Sequence, residues 1–348
     1  MCPRYFWSHA GGSEAKMLRN SRRLHAAAAA AAAASLLLPH RAHAAQSPPS
    51  PQPVWKFGYG SNISPDWLKS KKNLTPLDSR RCVLHGFALS FPSGRGIDFV
   101  EPTFATLKRD PDGLVHGVSH LLSRPDADTL DRQEGSYAVE VHEVVPYGSD
   151  ERMAVEVYAP KRPLPSDHPE AACSQRYRDI LVCSSEAVGL EAAWVQKLRA
   201  LPVYRPSEET LARRASVPSP SALPAMSIAE LRQHDGSDAS KGGRCMVSAC
   251  GYIFEHSPAF AAYKGRDITF RNVLHHRGAN LDANDDGGAA PFPNLARLSA
   301  AELEYALQNR DRLLMKSGAP VAVLREFWEE QPADLAGVYA GNARSMAL

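Results

Sequence analysis

Residues 54–68 read Val54-Trp-Lys-Phe-Gly-Tyr-Gly-Ser-Asn-Ile-Ser-Pro-Asp-Trp-Leu68. A short apolar run, Val54 to Phe57, leads into two glycines spaced by a tyrosine. Ser64 then stands where a helix N-cap belongs, with Pro65 at the first helical position, where its missing N–H costs nothing. The stretch predicts strand, tight glycine turn, helix. Such a turn leaves several backbone N–H groups pointing the same way, which makes a cradle for an anion or carboxylate. Read alone, the same pattern also describes a plain strand-to-helix connection.

Downstream, strand-like alternation of apolar and polar residues occurs at 81–91, 104–107, 115–122, 136–145 and 153–158, separated by turn-rich segments. In the fourth of these Tyr137, Val139 and Val141 share one face, opposite Glu140 and His142. A short helix is predicted at 125–133, delivering Glu134-Gly135 at its end. From 174 to 201 the spacing of Tyr177, Ile180, Leu181, Val188, Trp194 and Leu198 becomes helical. The expected result is a mixed α+β domain of roughly 150 residues, within the usual range for one core.

Three separated pieces then resemble one family, the gamma-glutamylcyclotransferases. Phe57-Gly-Tyr-Gly-Ser-Asn62 is similar to its F-x-Y-G-S-N signature. Leu130-Asp-Arg-Gln-Glu-Gly135 resembles its L-D-x-x-E-G element, and Ser174-Gln-Arg-Tyr177 with Ile180 resembles the S-x-x-Y-x-x-x-I start of its C-terminal helix. Phe104-Ala-Thr-Leu107 and Val115-His-Gly-Val118 sit where the family has an A-T-I stretch and a V-x-G-V strand. The resemblance covers about 54–215. It implies a barrel-like mixed sheet flanked by helices, with the site in a cavity at one end and no cofactor or metal.

The activity it implies is cleavage of a gamma-glutamyl amino acid or amine to 5-oxoproline and the free amine, the substrate's own α-amine attacking its γ-carbonyl. Glu134 corresponds to the general base and acid. Tyr59, Gly60, Ser61, Asn62, Ile63 and Ser64 correspond to the substrate-binding turn, and Tyr177 to a tyrosine that hydrogen-bonds substrate. Two departures bear on substrate choice. Ser136-Tyr137 follow Glu134-Gly135 at once, where the family has several more residues before its tyrosine. Asn62 stands where the glutathione-specific branch has leucine, which tilts the expectation toward general gamma-glutamyl amino acids or amines. The alternatives are a glutathione-specific member and a catalytically silent binding module of the same fold.

The chain has 348 residues and a formal net charge of +2, but its first 50 residues carry six Lys/Arg against one Glu. The remaining chain therefore holds 34 basic and 37 acidic residues, which gives no reason to expect a nucleic-acid partner. Hydrophobic content of 44% with 22% charged residues excludes wholesale disorder, collagen and multi-pass membrane classes. Arg19, Arg22 and Arg23, the Ala-rich run 26–38 and Ala42-His43-Ala44 have the order of a targeting segment. Residues 1–53 are thus expected to be a leader and spacer for organelle import or secretion, with a low-complexity tail on a cytoplasmic protein as the other reading. No membrane association is expected after processing.

The six cysteines show no metal spacing and are expected to be free core thiols, although Cys245 and Cys250 could pair in an oxidising compartment. His116 and His120 have a helical metal spacing inside a strand-like stretch, so no metal is expected there. Residues 216–243, rich in Pro, Ser and charge, read as a linker with one short helix at 227–233. Beyond it, 244–348 reads as a smaller α/β unit of unrecognised fold, with a strand-like stretch at 245–254 and a helix opened by a Ser299–Glu302 capping box. Asp282-Ala-Asn284-Asp-Asp286-Gly287 imitates half of a calcium loop, but Pro293 occupies the position that needs glutamate, leaving an Asx-rich turn. Binding a protein partner and gating substrate are the two roles open to this unit.

Overall fold

The computed structural model describes residues 52–165, 167–237, 245–256, 263–276 and 292–332. The expected leader, most of the calcium-like loop's surroundings and the loop itself lie outside the described residues.

The barrel half runs β1 (Val54–Gly58), α1 (Pro65–Trp67), β2 (Asp78–Ser90), β3 (Thr106–Leu122), α2 (Arg124–Gln133), β4 (Tyr137–Pro146) and β5 (Met153–Pro160). Helices α3 (Gln175–Ala187), α4 (Ala192–Arg199) and α5 (Glu208–Ala215) follow. The five strands close in the order β1-β3-β2-β4-β5; β1 runs parallel to β5 and the other pairings are antiparallel. Closure removes the open edges of the sheet. The mixed α+β domain expected from the alternation and the barrel-like sheet that the resemblance implied are therefore present, and the core is filled by Phe57, Leu84, Leu107, Val115, Val118 and Val157, with Leu181, Trp194 and Leu198 of α3 and α4 packed against it.

Three local expectations need correction. The segments 104–107 and 115–122 belong to one 17-residue strand, β3, because Asp110 to Gly113 bulge out of the ladder without ending it. The pairing steps from Phe87–Arg109 to His85–Leu114, so these residues of β3 stand opposite the single Gly86 of β2, which takes φ +78°. The helical stretch 174–201 is two helices, since Gly189 takes φ +71° after Val188 and ends α3.

The third concerns β4, for which the alternation left the inner face open. Its alternation is as expected, but Val139 and Val141 are 43% and 69% exposed, while Glu140 and His142 face the half-buried side. Closure of the barrel sets this sense: Glu140 and His142 lie opposite Val157 and Val155 of β5, which are buried. The His142 ring packs edge-on to Phe87 at 5.0 Å and its Nε2 meets Glu140 Oε2 at 2.9 Å, so the polar pair is partnered rather than stranded.

The second sheet comprises β6 (Ala225–Met226), β7 (Cys245–Ala249), β8 (Tyr252–His256), β9 (Arg266–Asp267) and β10 (Ala322–Leu324), in the order β6-β10-β8-β7-β9. It carries α6 (Ile228–Arg232), α7 (Thr269–His276), α8 (Ala300–Ser317) and α9 (Arg325–Glu329). The strand-like stretch 245–254 is a hairpin, turned by Cys250 and Gly251, both at positive φ (+50° and +73°). All five residues of β7 are buried, alternating between clusters on the two faces of the sheet. Helix α8 opens with the expected Ser299–Glu302 capping box. Arg214 of α5 reaches both Asp311 and Glu304 of α8, joining the two halves through a largely buried charge network.

The described cysteines, Cys245 and Cys250 among them, are unbonded. Among the described residues no helix is long and apolar enough to cross a membrane.

Candidate active site

The glycine turn after β1 is shaped by close approach. A Cβ on Gly58 would lie 2.3 Å from the Asn62 carbonyl oxygen, and one on Gly60 would lie 3.1 Å from the Tyr177 hydroxyl. Residues Ser61 to Ile63 form a single 3₁₀ turn closed by Ile63 N–H donating to Gly60 O at 3.1 Å. The amides of Ser61 and Asn62 precede that first bond and have no partner within the turn. Ser64 caps α1 through its hydroxyl, which accepts from Trp67 N–H at 3.3 Å. The helix then widens into a π-type turn at Leu68–Lys72. That wider turn brings Lys72 round toward the barrel, a placement typical of π segments near functional groups.

Helix α2 is locked against the barrel by Asp131, which accepts from Lys56 Nζ at 2.6 Å and from the Tyr158 hydroxyl at 2.7 Å. Lys56, 3% exposed, also pairs with Glu156. Three residues on, the C-cap of the same helix is Glu134, whose N–H donates to Leu130 O. One face-locking contact thus fixes the helix end that carries the carboxylate.

Glu134 Oε1 accepts from Asn62 Nδ2 at 3.0 Å and from Lys72 Nζ at 3.1 Å. Its Oε2 has no partner among the described residues, and Asn62 Oδ1 is buried without one. These groups border a cavity of about 350 Å³ whose wall also includes Tyr59, Gly60, Ser61, Tyr137, Tyr158 and Tyr177. The structure therefore brings Glu134, Tyr59, Gly60, Ser61, Asn62 and Tyr177 together. It leaves out Ile63, which is fully buried in the core behind the turn, and Ser64, which is spent on the helix cap.

The tyrosines stay protonated. Burial pushes the Tyr59, Tyr158 and Tyr177 phenols well above their ordinary range, and that of Tyr137 upward as well. Tyr59 donates to Tyr158 O at 2.5 Å and Tyr137 to Ala105 O at 3.3 Å. Tyr177 accepts from Ala105 N–H at 3.2 Å, which leaves its own proton to donate elsewhere.

Lys72, Arg95 and Tyr158 belong to the cavity wall with no expectation attached to them in the sequence, and Tyr137, noted there only for following Glu134-Gly135 at once and for its strand face, joins them. Lys72 is one of three lysines in Lys69-Ser-Lys-Lys72, and only the π-type turn selects it. Arg95 had a local signal, a lone charge between two glycines in Gly94-Arg-Gly96. Tyr137 and Tyr158 sit on adjacent strands with ring centroids 6.5 Å apart, a proximity set by the β4–β5 register.

His116 and His120 both lie on β3, buried and hydrogen-bonded. Among the described residues no group of three or more His, Cys, Asp or Glu could hold a metal ion. His120 serves the turn. Its Nε2 lies 3.0 Å from the Asn62 carbonyl and its Nδ1 2.8 Å from Ser79 Oγ. A carbonyl can only accept, so Nε2 carries the proton and Nδ1 accepts from the serine.

Burial lowers His120 from 6.5 to about 4. Above pH 6.5 both folded and unfolded chains hold it neutral, so its contribution to stability is complete there. As pH falls toward 4 the unfolded chain takes up a proton that the folded chain refuses, which costs about 3 kcal/mol in total. Urea unfolding of wild type and His120→Gln at pH 7 and pH 4 checks this. The acid loss is expected to be smaller in the variant by about that amount; equal losses would remove His120 as the cause.

No family model matches the chain. A gamma-glutamyl cyclotransferase of Clonostachys rogersoniana, verK, is 33% identical over 132 residues, a match spanning 33% of this chain and 69% of the relative. Among solved structures, a gamma-glutamyl cyclotransferase is 21% identical, covering 45% of this chain and 95% of its own, at a TM-score of 0.38. A yeast gamma-glutamyl cyclotransferase specific to glutathione is 16% identical over 42% of this chain and 94% of its own, at a TM-score of 0.31.

Proposed function

Since this chain belongs to the gamma-glutamyl cyclotransferase family, we propose that it cleaves a gamma-glutamyl amino acid or amine to 5-oxoproline and the free amine, with Glu134 moving the proton. The observation that carries this reading is the state of one carboxylate. Glu134 Oε1 is pinned by Asn62 and Lys72, while Oε2, beside the cavity, has no partner among the described residues.

In the proposed reaction the substrate α-ammonium donates to Oε2 and to the unpartnered Asn62 Oδ1. Glu134 takes one proton, and the α-nitrogen attacks the γ-carbonyl carbon. A C–N bond forms, closing a five-membered ring, and the carbonyl becomes an oxyanion. Collapse of that tetrahedral species breaks the original amide C–N bond as Glu134 returns the proton to the departing nitrogen; the second proton that the ring nitrogen must lose then passes through the same carboxylate to the released amine, which leaves as an ammonium. One carboxyl suffices for both transfers because the groups react in sequence at one centre. The nucleophile is tethered to its target, so effective molarity supplies much of the rate and little further machinery is required.

The amides of Ser61 and Asn62 and the hydroxyl of Tyr177 supply donors for the substrate carboxylate and the developing oxyanion. Protonated tyrosines suit this role, since each remains a donor across the physiological range. Incubation of the protein with gamma-glutamyl-alanine, with a gamma-glutamyl amine and with glutathione, followed by measurement of 5-oxoproline, tests the proposal. A catalytically silent protein yields no product from any of the three.

A further inference from the structure

Arg95 is the feature of the cavity that the proposed chemistry leaves unused. It sits in the connection between β2 and β3, a segment held on every side. Ile97 and Glu101 exchange backbone hydrogen bonds at 2.6 and 2.9 Å, Thr103 Oγ1 donates to Pro92 O at 2.8 Å, and Ser93 N–H donates to Pro169 O at 3.0 Å. The Glu101 carboxylate is anchored by Ser174 at 2.5 Å and Arg176 at 2.8 Å, both at the start of α3. A loop secured in this way presents Arg95 to the cavity from a fixed base.

Among the described residues Arg95 has no acidic partner, although it lines the cavity and is half-buried. Arginines removed from water ordinarily find a carboxylate or other acceptor. The charges of the cavity wall make the point quantitative. Lys72 and Glu134 offset each other at 3.1 Å, leaving Arg95 as one uncompensated positive charge. A gamma-glutamyl amine carries one carboxylate and one ammonium and is neutral overall. A gamma-glutamyl amino acid carries a second carboxylate on its leaving amine and has a net charge of −1, which complements the site.

We propose that Arg95 is a specificity-determining residue whose guanidinium binds a carboxylate on the leaving-amine side of the substrate. This rests on the reaction proposed above, which assigns the ammonium to Glu134 and the glutamyl α-carboxylate to the turn at 59–62. The carboxylate that remains is the one on the leaving group. An arginine fork and a carboxylate match geometrically, so the pair selects by shape as well as charge. Acceptors without that carboxylate leave Arg95 desolvated and unpaired.

Gamma-glutamyl-alanine and gamma-glutamyl-ethylamide differ by this carboxylate and make the test direct. Wild type is expected to favour the alanine compound by about 10- to 100-fold in kcat/KM, the size of a charged hydrogen-bond pair. Arg95→Gln should cut that ratio at least about tenfold, mainly through KM for gamma-glutamyl-alanine. Arg95→Lys should keep part of the preference, and Arg95→Glu should invert it. An unchanged ratio in Arg95→Gln, or equal losses for both substrates, overturns the inference while leaving the reaction standing. Cleavage of neither substrate by wild type overturns the reaction and this inference with it.

Discussion

Glu134→Gln should lower 5-oxoproline formation by about 10² to 10⁴-fold, the range expected when a positioned general acid–base is removed. The substitution keeps the shape of the side chain and an oxygen to accept from Asn62 and Lys72. It removes the ability of Oε2 to take up a proton. The Lys72–Glu134 pair is partly exposed, at 20% and 17%, so its loss should cost folding stability less than about 1 kcal/mol. Initial rates by chromatographic measurement of 5-oxoproline, beside a thermal melt, separate the two effects. An active Glu134→Gln enzyme would remove Glu134 from the mechanism, and an unfolded one would be exposed by the melt.

Gly58→Ala is expected to have the second largest effect, although Gly58 performs no chemistry. Its added Cβ would meet the Asn62 carbonyl oxygen at 2.3 Å and the carbonyl carbon at 2.7 Å, distances no real Cβ contact tolerates. The obstructing atoms are backbone, so the turn itself must shift. That same carbonyl accepts from His120, and the Asn62 side chain holds Glu134. A displacement of about 1 Å in a positioned group costs about 100-fold in rate, and a comparable fall in kcat/KM is expected here.

Gly60→Ala provides the contrast. Its Cβ would approach the Tyr177 hydroxyl at 3.1 Å, a side-chain atom that can yield by a few tenths of an ångström, and the Ala105 Cβ at an ordinary 3.8 Å. It should therefore lose less activity than Gly58→Ala. If the two variants are equally active, the turn does not depend on the Gly58–Asn62 approach and the account of how the site is held together is wrong.

Local chemistry made several elements readable from residues alone. Ser64 before Pro65 and Ser299 with Glu302 each cap the helix that follows them, because a hydroxyl three residues upstream of a free amide is a short-range device. The glycine turn at 58–60 and the glutamate at the end of α2 belong to the same category. Each is specified within a window of a few residues, so each survives any ignorance of the rest of the fold.

Other features depend on partners far along the chain. Val139 and Val141 look like a core face until closure of the barrel turns them outward and gives Glu140 and His142 the inner side with Phe87. Residues 110–113 have the composition of a turn, yet they only bulge out of the ladder, and pairing with β2 resumes on either side of them, at Arg109 and Leu114. Lys72 resembles its neighbours Lys69 and Lys71, and only the widened helical turn brings it to Glu134. Ile63 and Ser64 belong to the same motif as Asn62, but packing directs one into the core and the cap claims the other.

By itself, then, the sequence determined the strand–turn–helix that cradles the site, the helix ending in Glu134 and the mixed α+β class of the first half, since these follow from spacing, capping and glycine sterics over short range; the barrel and the part played by Tyr177 came from the family resemblance. Only the tertiary structure decided which groups meet at the cavity, with Lys72 pinning Glu134, His120 holding the Asn62 carbonyl and Arg95 left without an acidic partner among the described residues. Those outcomes depend on the register of closed strands and on contacts across 58 to 72 residues of chain, and no local pattern encodes which of several like residues will arrive.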